Sequence, residues 1–138
     1  MLKELIASGF GEDLDLNCAE KILYGANDVY HLGLSPKSLK VAAGFGGGMG
    51  IESVCGALTA SVMVLSSLFV EKNAHESTRI KDLSRELFSA YAEEMQEIDC
   101  APLKKMYRTE EKKCFHVILK AAEVLDRIVE REFKGPQS

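Results

Sequence analysis

The sequence predicts an all-α fold, a single-domain bundle of about four main helices with one or two short ones. Three observations support this prediction. Apolar residues recur at spacings of three and four, no segment shows the strict alternation of a half-buried strand, and helix-capping residues precede several apolar runs. The chain has 138 residues, 46% of them hydrophobic and 28% charged, which is enough for one core, so we expect one domain over 1–138.

The first half of the chain predicts one longer helix between two short ones. A short helix over 2–8 is closed by glycines. Asn17, with Glu20 three residues later, is a variant of the capping box and opens a helix that extends to about residue 32. Ser35 and Pro36 then cap and begin a short helix that stops at a glycine cluster. The core-facing stripe of the longer helix is Cys18, Ile22, Ala26 (or Gly25) and Val29.

A long apolar helix is expected next, from about residue 52 to about residue 71. Its stretch from Ser53 to Val70 carries no charge, and about 18 apolar residues is the lower limit for a membrane span. Five serine and threonine residues lie within that stretch, however, and polar sequence flanks both ends. We therefore expect a buried central helix and no membrane association.

Two amphipathic helices complete the prediction. The first covers about 76–98 and is broken by the sequence at 99–102, after which a short turn of helix covers 103–107. The second begins after Thr109 as its cap, and a frayed tail is expected over 134–138. The predicted buried stripes are Ile80, Leu83 (or Ser84), Leu87, Tyr91, Met95 and Ile98 on the first, and Cys114, Ile118, Ala121, Leu125, Ile128 and Val129 on the second.

Charge and targeting signals narrow the function classes. The net charge is −4 and no basic stripe is visible, which argues against nucleic acid as a partner. The start of the chain has no basic segment followed by an apolar run, so we expect a cytoplasmic protein. Four cysteines in such a chain are inert core residues, redox thiols or ligands, and not a secreted disulfide framework. No histidine is assigned a catalytic role.

The cysteines are Cys18, Cys55, Cys100 and Cys114, and their spacing contains no Cys-x-x-Cys pair. This excludes a sequence-local zinc knuckle, a thioredoxin-type motif and a Cys-x-x-Cys-His haem site. Each lies near a predicted helix start, with Cys55 in the first turn after Ser53 as cap, and a helix start lowers the pKa of a thiol. We therefore predict that the four cysteines share a redox or ligand site.

A glycine-rich loop runs directly into this apolar helix. Its glycines do not fit Gly-x-Gly-x-x-Gly, because Met49 and Ile51 occupy the positions of the third glycine, and no Gly-Lys-Ser/Thr follows. We expect a tight turn or a backbone wall beside Cys55. Gly56 and Ala60 form a small-residue pair that would also suit a homodimer contact. The glycines predicted to contact a cofactor, if one binds, are Gly46, Gly47, Gly48 and Gly56.

The chain resembles a known family, the redox-active proteins named for a C-GCAxxG-C-C cysteine pattern. The resemblance covers about 14–130 and is carried by the stretches 17–19, 44–48 and 55–59 together with Cys100 and Cys114. It implies redox activity, names no substrate, and identifies the four cysteines as the signature set. One departure is that Val54, where the pattern has glycine, precedes Cys55. Some relatives are linked to split-Soret cytochromes, so the resemblance also keeps a metal cofactor open.

Three hypotheses follow. The first is a thiol redox protein in which Cys55 leads and Cys18 or Cys114 is its disulfide partner. The second is a protein that binds an iron–sulfur cluster, haem or zinc through the four thiolates. The third is a helical interaction module with unreactive cysteines. The sequence does not name a substrate or redox partner, and it does not decide whether the protein is an enzyme.

Overall fold

The computed structural model describes residues 1–134, and the all-α prediction is confirmed. Within that range the regular elements are helical, and the only β-type pairings are two isolated antiparallel bridges. The predicted frayed tail lies, from residue 135 onward, outside the described residues. The α-helices are α1 (Leu2–Ala7), α2 (Cys18–Val29), α3 (Pro36–Leu39), α4 (Gly56–Phe69), α5 (Arg79–Met95), α6 (Cys100–Tyr107) and α7 (Phe115–Lys134). Short 3₁₀ segments cover Lys40–Phe45 and Ala74–Glu76.

Helix α4 lies at the centre of the bundle and packs against α2, α5 and α7. Its side chains Leu58, Val64 and Leu65 are fully buried, as the uncharged stretch predicts. The hydroxyl of Ser61 is also buried and donates a hydrogen bond to the carbonyl of Ala57 at 2.7 Å. Among the described residues, no helix combines the length and apolar character that a membrane crossing requires.

The predicted core-facing stripes are confirmed on α5 and α7, except that Ile80, Ile98 and Cys114 are only partly buried and the last two lie outside these helices. Helix α5 buries Leu83, Leu87, Tyr91 and Met95, with the Tyr91 hydroxyl donating to the Val117 carbonyl at 3.2 Å. The capping box of α2 is also formed, since the Asn17 side chain accepts from the Glu20 N–H and the Glu20 carboxylate accepts from the Asn17 N–H. The buried residues of α7 are Val117, Ile118, Ala121, Ala122, Val124, Leu125, Ile128 and Val129.

Three predicted helix starts are wrong, and all three errors lie beside a cysteine. Helix α6 begins at Cys100, within the stretch 99–102 that was expected to be a break. Helix α4 begins at Gly56, because residues 53–55 are drawn into an antiparallel bridge between Val54 and Asp99. Helix α7 begins at Phe115 and not after Thr109. Residues 109–113 form a closed turn, with a bridge between Thr109 and Lys113 and a left-handed φ of 53° at Lys113.

Helix α1 is anchored to the second half of α7 by one carboxylate. Asp126 accepts hydrogen bonds from the backbone N–H groups of Leu2 and Lys3, each at 2.9 Å, and from the hydroxyl of Tyr30. A carboxylate at a helix N-terminus satisfies free N–H groups and opposes the positive end of the dipole. Asp126 therefore ties α1, the end of α2 and α7 together.

Candidate thiol site

The four cysteines all lie at helix starts. Cys18 and Cys100 are the first residues of α2 and α6. Cys55 is itself the N-cap of α4, so the expected Ser53 cap is wrong. Cys114 directly precedes α7, and its carbonyl accepts the N–H of Ile118 at 3.0 Å, which places it at the N-cap rather than one turn into the helix.

The bridge between Val54 and Asp99 brings two of these starts together. The Cys55 N–H donates to the Ile98 carbonyl at 2.8 Å, and the Cys100 N–H donates to the Ser53 carbonyl at 2.6 Å. Cys55 and Cys100 are therefore diagonal neighbours on one face of a short antiparallel pairing, where Cα atoms are typically about 7–8 Å apart. This pairing aligns the starts of α4 and α6.

Two glycines let backbone and sulfur approach each other closely. A Cβ at Gly56 would lie 2.7 Å from the Cys18 sulfur and 2.6 Å from the Phe45 carbonyl oxygen. A Cβ at Gly48, whose φ is +61°, would lie 2.8 Å from the Cys100 Cβ. A side chain at either position would collide with a cysteine. Gly48 in the glycine-rich loop thus lies against Cys100, and Gly56 at the start of α4 lies against Cys18, whereas the expected backbone wall was beside Cys55.

Gly46 and Gly47 contact the start of α2. Gly46 packs so closely on the Asn17 side chain that a Cβ would collide with it, and Asn17 Nδ2 donates to the Ala43 carbonyl at 2.9 Å. The Gly47 N–H favours the thiolate of Cys18 and so opposes the effect of burial on the pKa of that thiol. Gly47 therefore lies beside the Cys18 thiol and Gly46 beside Asn17, and the role of these glycines toward a cofactor stays a prediction.

The small residues Gly56 and Ala60 allow close packing between two helices of the same chain. Gly56 and Ala60 are both buried, and Gly56 contacts Cys18 at the start of α2. The close approach of a neighbouring helix that this pair favours is therefore made by α2. The homodimer suggested from the same pair stays a prediction.

All four cysteines line one cavity of about 410 Å³. Cys55 and Cys100 have only 4% and 8% of their surface exposed, whereas Cys18 and Cys114 are only half-buried. None of the four is in a disulfide. The fold therefore gathers thiols that are 37, 45 and 14 residues apart in sequence, as the hypothesis of a shared site requires.

Burial outweighs the helix starts in setting the thiol pKa values. Burial raises the pKa of Cys55 from 9.0 to about 12, and the charge of Cys18 raises it further, although the N–H groups of Ala57 and Leu58 favour the thiolate. Burial also raises the pKa of Cys18 and of Cys100. The expected lowering of the thiol pKa is therefore wrong for these three cysteines. Desolvation destabilises their thiolates by more than the helix N-termini stabilise them.

Cys114 differs from the other three in its surroundings. Its sulfur accepts a hydrogen bond from Arg108 Nη1 at 3.6 Å, and its partly exposed side chain lines the cavity. Negative charge on Cys114 contributes to the raised pKa of both Cys18 and Cys100, so the three sulfurs interact electrostatically. A thiol that is accessible and beside a guanidinium is the kind that reacts first.

Basic residues around the opening were missed at the level of sequence. Arg108, Lys112 and Lys113 line the cavity beside Cys114. Lys104 lines it as well, and its ammonium binds the Glu52 carboxylate at 2.9 Å, which holds the end of the glycine-rich loop to α6. The sequence signal that could have predicted this basic lining was the presence of three cations in the six residues before Cys114. It was obscured because the acidic residues between them balance the local charge.

The side chains do not form a ready metal site. Among residues 1–134, no group of three or more histidine, cysteine, aspartate and glutamate side chains has an arrangement that could hold a metal ion. A tetrahedral zinc or iron–sulfur site needs about four such donors converging on one point. The four-thiolate ligand set of the second hypothesis is thus not preformed among the described residues.

The fold and the site define a class of protein, a small helical bundle whose helix starts present four thiols to one cavity. The sequence model of the family described as "Putative redox-active protein (C_GCAxxG_C_C)" matches residues 16–128, and the chain belongs to this family. This confirms the resemblance stated from the sequence. Searches of the curated proteins and of the solved structures gave no match.

Proposed function

We propose that this protein performs thiol–disulfide exchange, with Cys114 as the attacking thiol and Cys18 as the resolving thiol. The observation that carries the proposal is the meeting of four helix-start cysteines in one open cavity, with these two at its accessible side. Family membership supports redox chemistry in general. Because dithiols persist in a reducing compartment, we also propose that the protein works in the cytoplasm.

The pKa of Cys55 argues against the order of events expected from the sequence. A thiol with a pKa of about 12 carries almost no thiolate at neutral pH, and only the thiolate is nucleophilic. Cys55 is also nearly inaccessible. We therefore assign the first attack to Cys114, and we assign Cys55 and Cys100 to a buried pair that does not contact substrate in the first step.

The exchange balances with a substrate disulfide, RS–SR, as the oxidant. The Cys114 thiolate attacks one sulfur, the S–S bond breaks, and the first RS⁻ leaves with a mixed disulfide on Cys114. Cys18 gives its proton to the departing thiolate, and its own sulfur then attacks Cys114. The second RS⁻ leaves and takes the proton that Cys114 lost at the outset. Two protein thiols become one disulfide, and one substrate disulfide becomes two thiols.

Groups around Cys18 support its role as the resolving thiol. The Gly47 N–H favours the Cys18 thiolate that must form during the second attack. Gly56 leaves the space in which this sulfur lies. An external dithiol of the reducing compartment would return the pair to its reduced form by the reverse chemistry.

The test is disulfide mapping after reaction under anaerobic conditions. The reduced protein is treated with hydroxyethyl disulfide, alkylated, digested and analysed by mass spectrometry. We expect a bond between Cys18 and Cys114. The variant Cys18→Ser should stop at a mixed disulfide on Cys114, and Cys114→Ser should react at least about a hundredfold more slowly, since the first nucleophile is gone.

Cys100→Ser is the matched control, because it removes a thiol from the same cavity without touching the proposed pair. It should keep the bond between Cys18 and Cys114. A first bond between Cys55 and Cys100 would contradict the assignment. Four thiols that all remain reduced in the folded protein would contradict the exchange function itself.

A further inference from the structure

The cavity lining is more basic than the protein as a whole. The chain carries 17 basic and 21 acidic residues, a net charge of −4. Among the residues that line the cavity, the acidic ones are Glu12, Asp15 and Glu111. The basic ones are Lys21, Lys104, Arg108, Lys112 and Lys113. Positive charge is thus concentrated at the thiol site of an acidic protein.

The basic residues lie unevenly around the cavity. Arg108, Lys112 and Lys113 share one loop with Cys114, whereas Glu12 and Asp15 belong to the loop before α2. Glu110 and Glu111 share the basic loop, and of these only Glu111 lines the cavity. The surface next to the attacking sulfur is therefore the basic side of the opening.

These cations are not used to hold the fold together. Among the described residues, Arg108, Lys112 and Lys113 form no salt bridge, and Lys112 and Lys113 are exposed. Lys104 is different because Glu52 neutralises it. Cations that face a cavity and lack a carboxylate partner retain their charge for a ligand.

We infer that the cavity selects small disulfides that carry a carboxylate close to the sulfur. The volume of about 410 Å³ suits a small molecule rather than a folded protein. With the sulfur of such a molecule at Cys114, its carboxylate would face the ammonium groups of Lys112 and Lys113. This inference rests on the proposed exchange function, and it adds the class of substrate.

The charge around Cys114 is measured by two alkylating agents of different charge. Iodoacetate is an anion and iodoacetamide is neutral, and both react with the same thiolate. The ratio of their rates at Cys114 therefore reports the local electrostatic potential. A change in the ionised fraction of the thiol affects both rates equally and does not change this ratio. Mass spectrometry assigns the rate to Cys114 in the intact protein. The ratio should fall as ionic strength rises, because salt screens the attraction.

The decisive variant is Lys112→Gln with Lys113→Gln. Removing two positive charges from the lining of the same cavity should lower the iodoacetate-to-iodoacetamide ratio about fivefold at low ionic strength. The control is Lys37→Gln with Lys40→Gln, which makes the same change in net charge at exposed residues that do not line the cavity. A ratio that is equal in the two double variants would overturn the inference.

A second measurement uses the disulfides themselves. We expect dithiodipropionate, an anion, to be reduced fastest, neutral hydroxyethyl disulfide more slowly, and cystamine, a cation, most slowly. The differences between these rates should become smaller in the Lys112→Gln, Lys113→Gln variant. If hydroxyethyl disulfide is reduced but dithiodipropionate has no advantage, the inferred selectivity is wrong and the exchange function stands. If the alkylation ratio behaves as expected but no disulfide is reduced, the exchange function fails and the anion-attracting cavity stands.

Discussion

Helix α7 joins two regions that use charge in opposite ways. In its second half, Arg127 donates to Glu94 at 2.7 Å, and Arg131 binds both carboxylate oxygens of Glu86 at 2.5 and 2.8 Å. These pairs link α7 to α5. At its start, the described part of the chain gives Lys112 and Lys113 no carboxylate partner, and both lie beside the thiol cavity.

The difference separates charges that maintain the fold from charges that remain available. Paired groups on α5 and α7 face only each other and solvent, so they can contribute to stability and little else. Unpaired cations at a cavity rim cost little, because they stay hydrated, and they retain an attraction for an anionic ligand. At the thiol end of α7, substitutions that remove a charge should therefore have little effect on stability. Substitutions that disturb the close backbone packing there should lower stability.

The largest expected effect is at Gly56, at the thiol end. In Gly56→Ala the new Cβ would meet the Phe45 carbonyl oxygen at 2.6 Å and the Cys18 sulfur at 2.7 Å. Backbone cannot move away cheaply, so we expect a loss of about 2–3 kcal/mol in the free energy of unfolding. Urea unfolding measures the stability, and the displaced Cys18 should also slow the closing of its bond to Cys114.

Gly44→Ala is the matched control in the same glycine-rich stretch. A Cβ there would have no neighbour within 4 Å, and this position does not need a left-handed backbone. Its stability should stay within about 0.5 kcal/mol of the original protein. Equal losses in the two variants would mean that the stretch is sensitive throughout, and that contact with Cys18 is not the reason for glycine at position 56.

A somewhat smaller loss is expected at Asp126, in the second half of α7. Asp126→Ala removes the acceptor for the N–H groups of Leu2 and Lys3 and for the Tyr30 hydroxyl. Partly buried donors left without a partner should lower stability by about 2 kcal/mol. Tyr30→Phe, which removes one of the three bonds, should cost about 1 kcal/mol. Cysteine mapping should be unchanged in both variants, and a change would show that the two regions are coupled.

The sequence was sufficient to predict the helices and most of the core. Periodic residues such as Leu87, Tyr91 and Leu125 are fully buried as their spacing predicts, because burial of one helix face depends on local pattern. The Asn17 and Glu20 capping box was readable for the same reason, since all of its atoms lie within one turn.

The start of α4 could not be predicted because it depends on a distant partner, whereas α7 starts late because of the local turn at 109–113. Residues 53–55 leave the expected helix to pair with 98–100, more than 40 residues away. The pKa of Cys55 is a further case: its position at a helix start predicts a low value, but burial by the assembled fold raises it to about 12. The position of Cys55 near a helix start could be predicted from the sequence. The burial of its thiol could not, because it depends on the assembled fold.

The raised pKa of Cys55 predicts that this thiol makes the free energy of unfolding depend on pH. The folded-state pKa of Cys55 is about 12, above its ordinary value of 9.0, so the unfolded chain loses this proton first. The contribution is fully present below pH 9 and is lost progressively as pH rises toward 12. At pH 10 the loss is about 1 kcal/mol.

The measurement compares urea unfolding of the original protein and Cys55→Ala at several values between pH 8 and 10. Ala cannot titrate, so its stability should fall less steeply with pH, even if its stability at pH 8 differs. Parallel curves would show that Cys55 ionises equally easily in both states. That result would remove the pKa argument for assigning the first attack to Cys114, and only the inaccessibility of Cys55 would still support the assignment.

The smallest effects test the comparison itself. Arg131→Gln breaks a bidentate pair, but 52% of the Arg131 side chain and 39% of Glu86 are exposed, so we expect a loss of only about 0.5 kcal/mol that shrinks in high salt. Lys112→Gln should change stability by less than about 0.3 kcal/mol, since it breaks no pair. Both are measured by urea unfolding at low and high salt. A salt-sensitive loss in Lys112→Gln equal to that in Arg131→Gln would show that the rim cations stabilise the fold, and the distinction between the two ends of α7 would disappear.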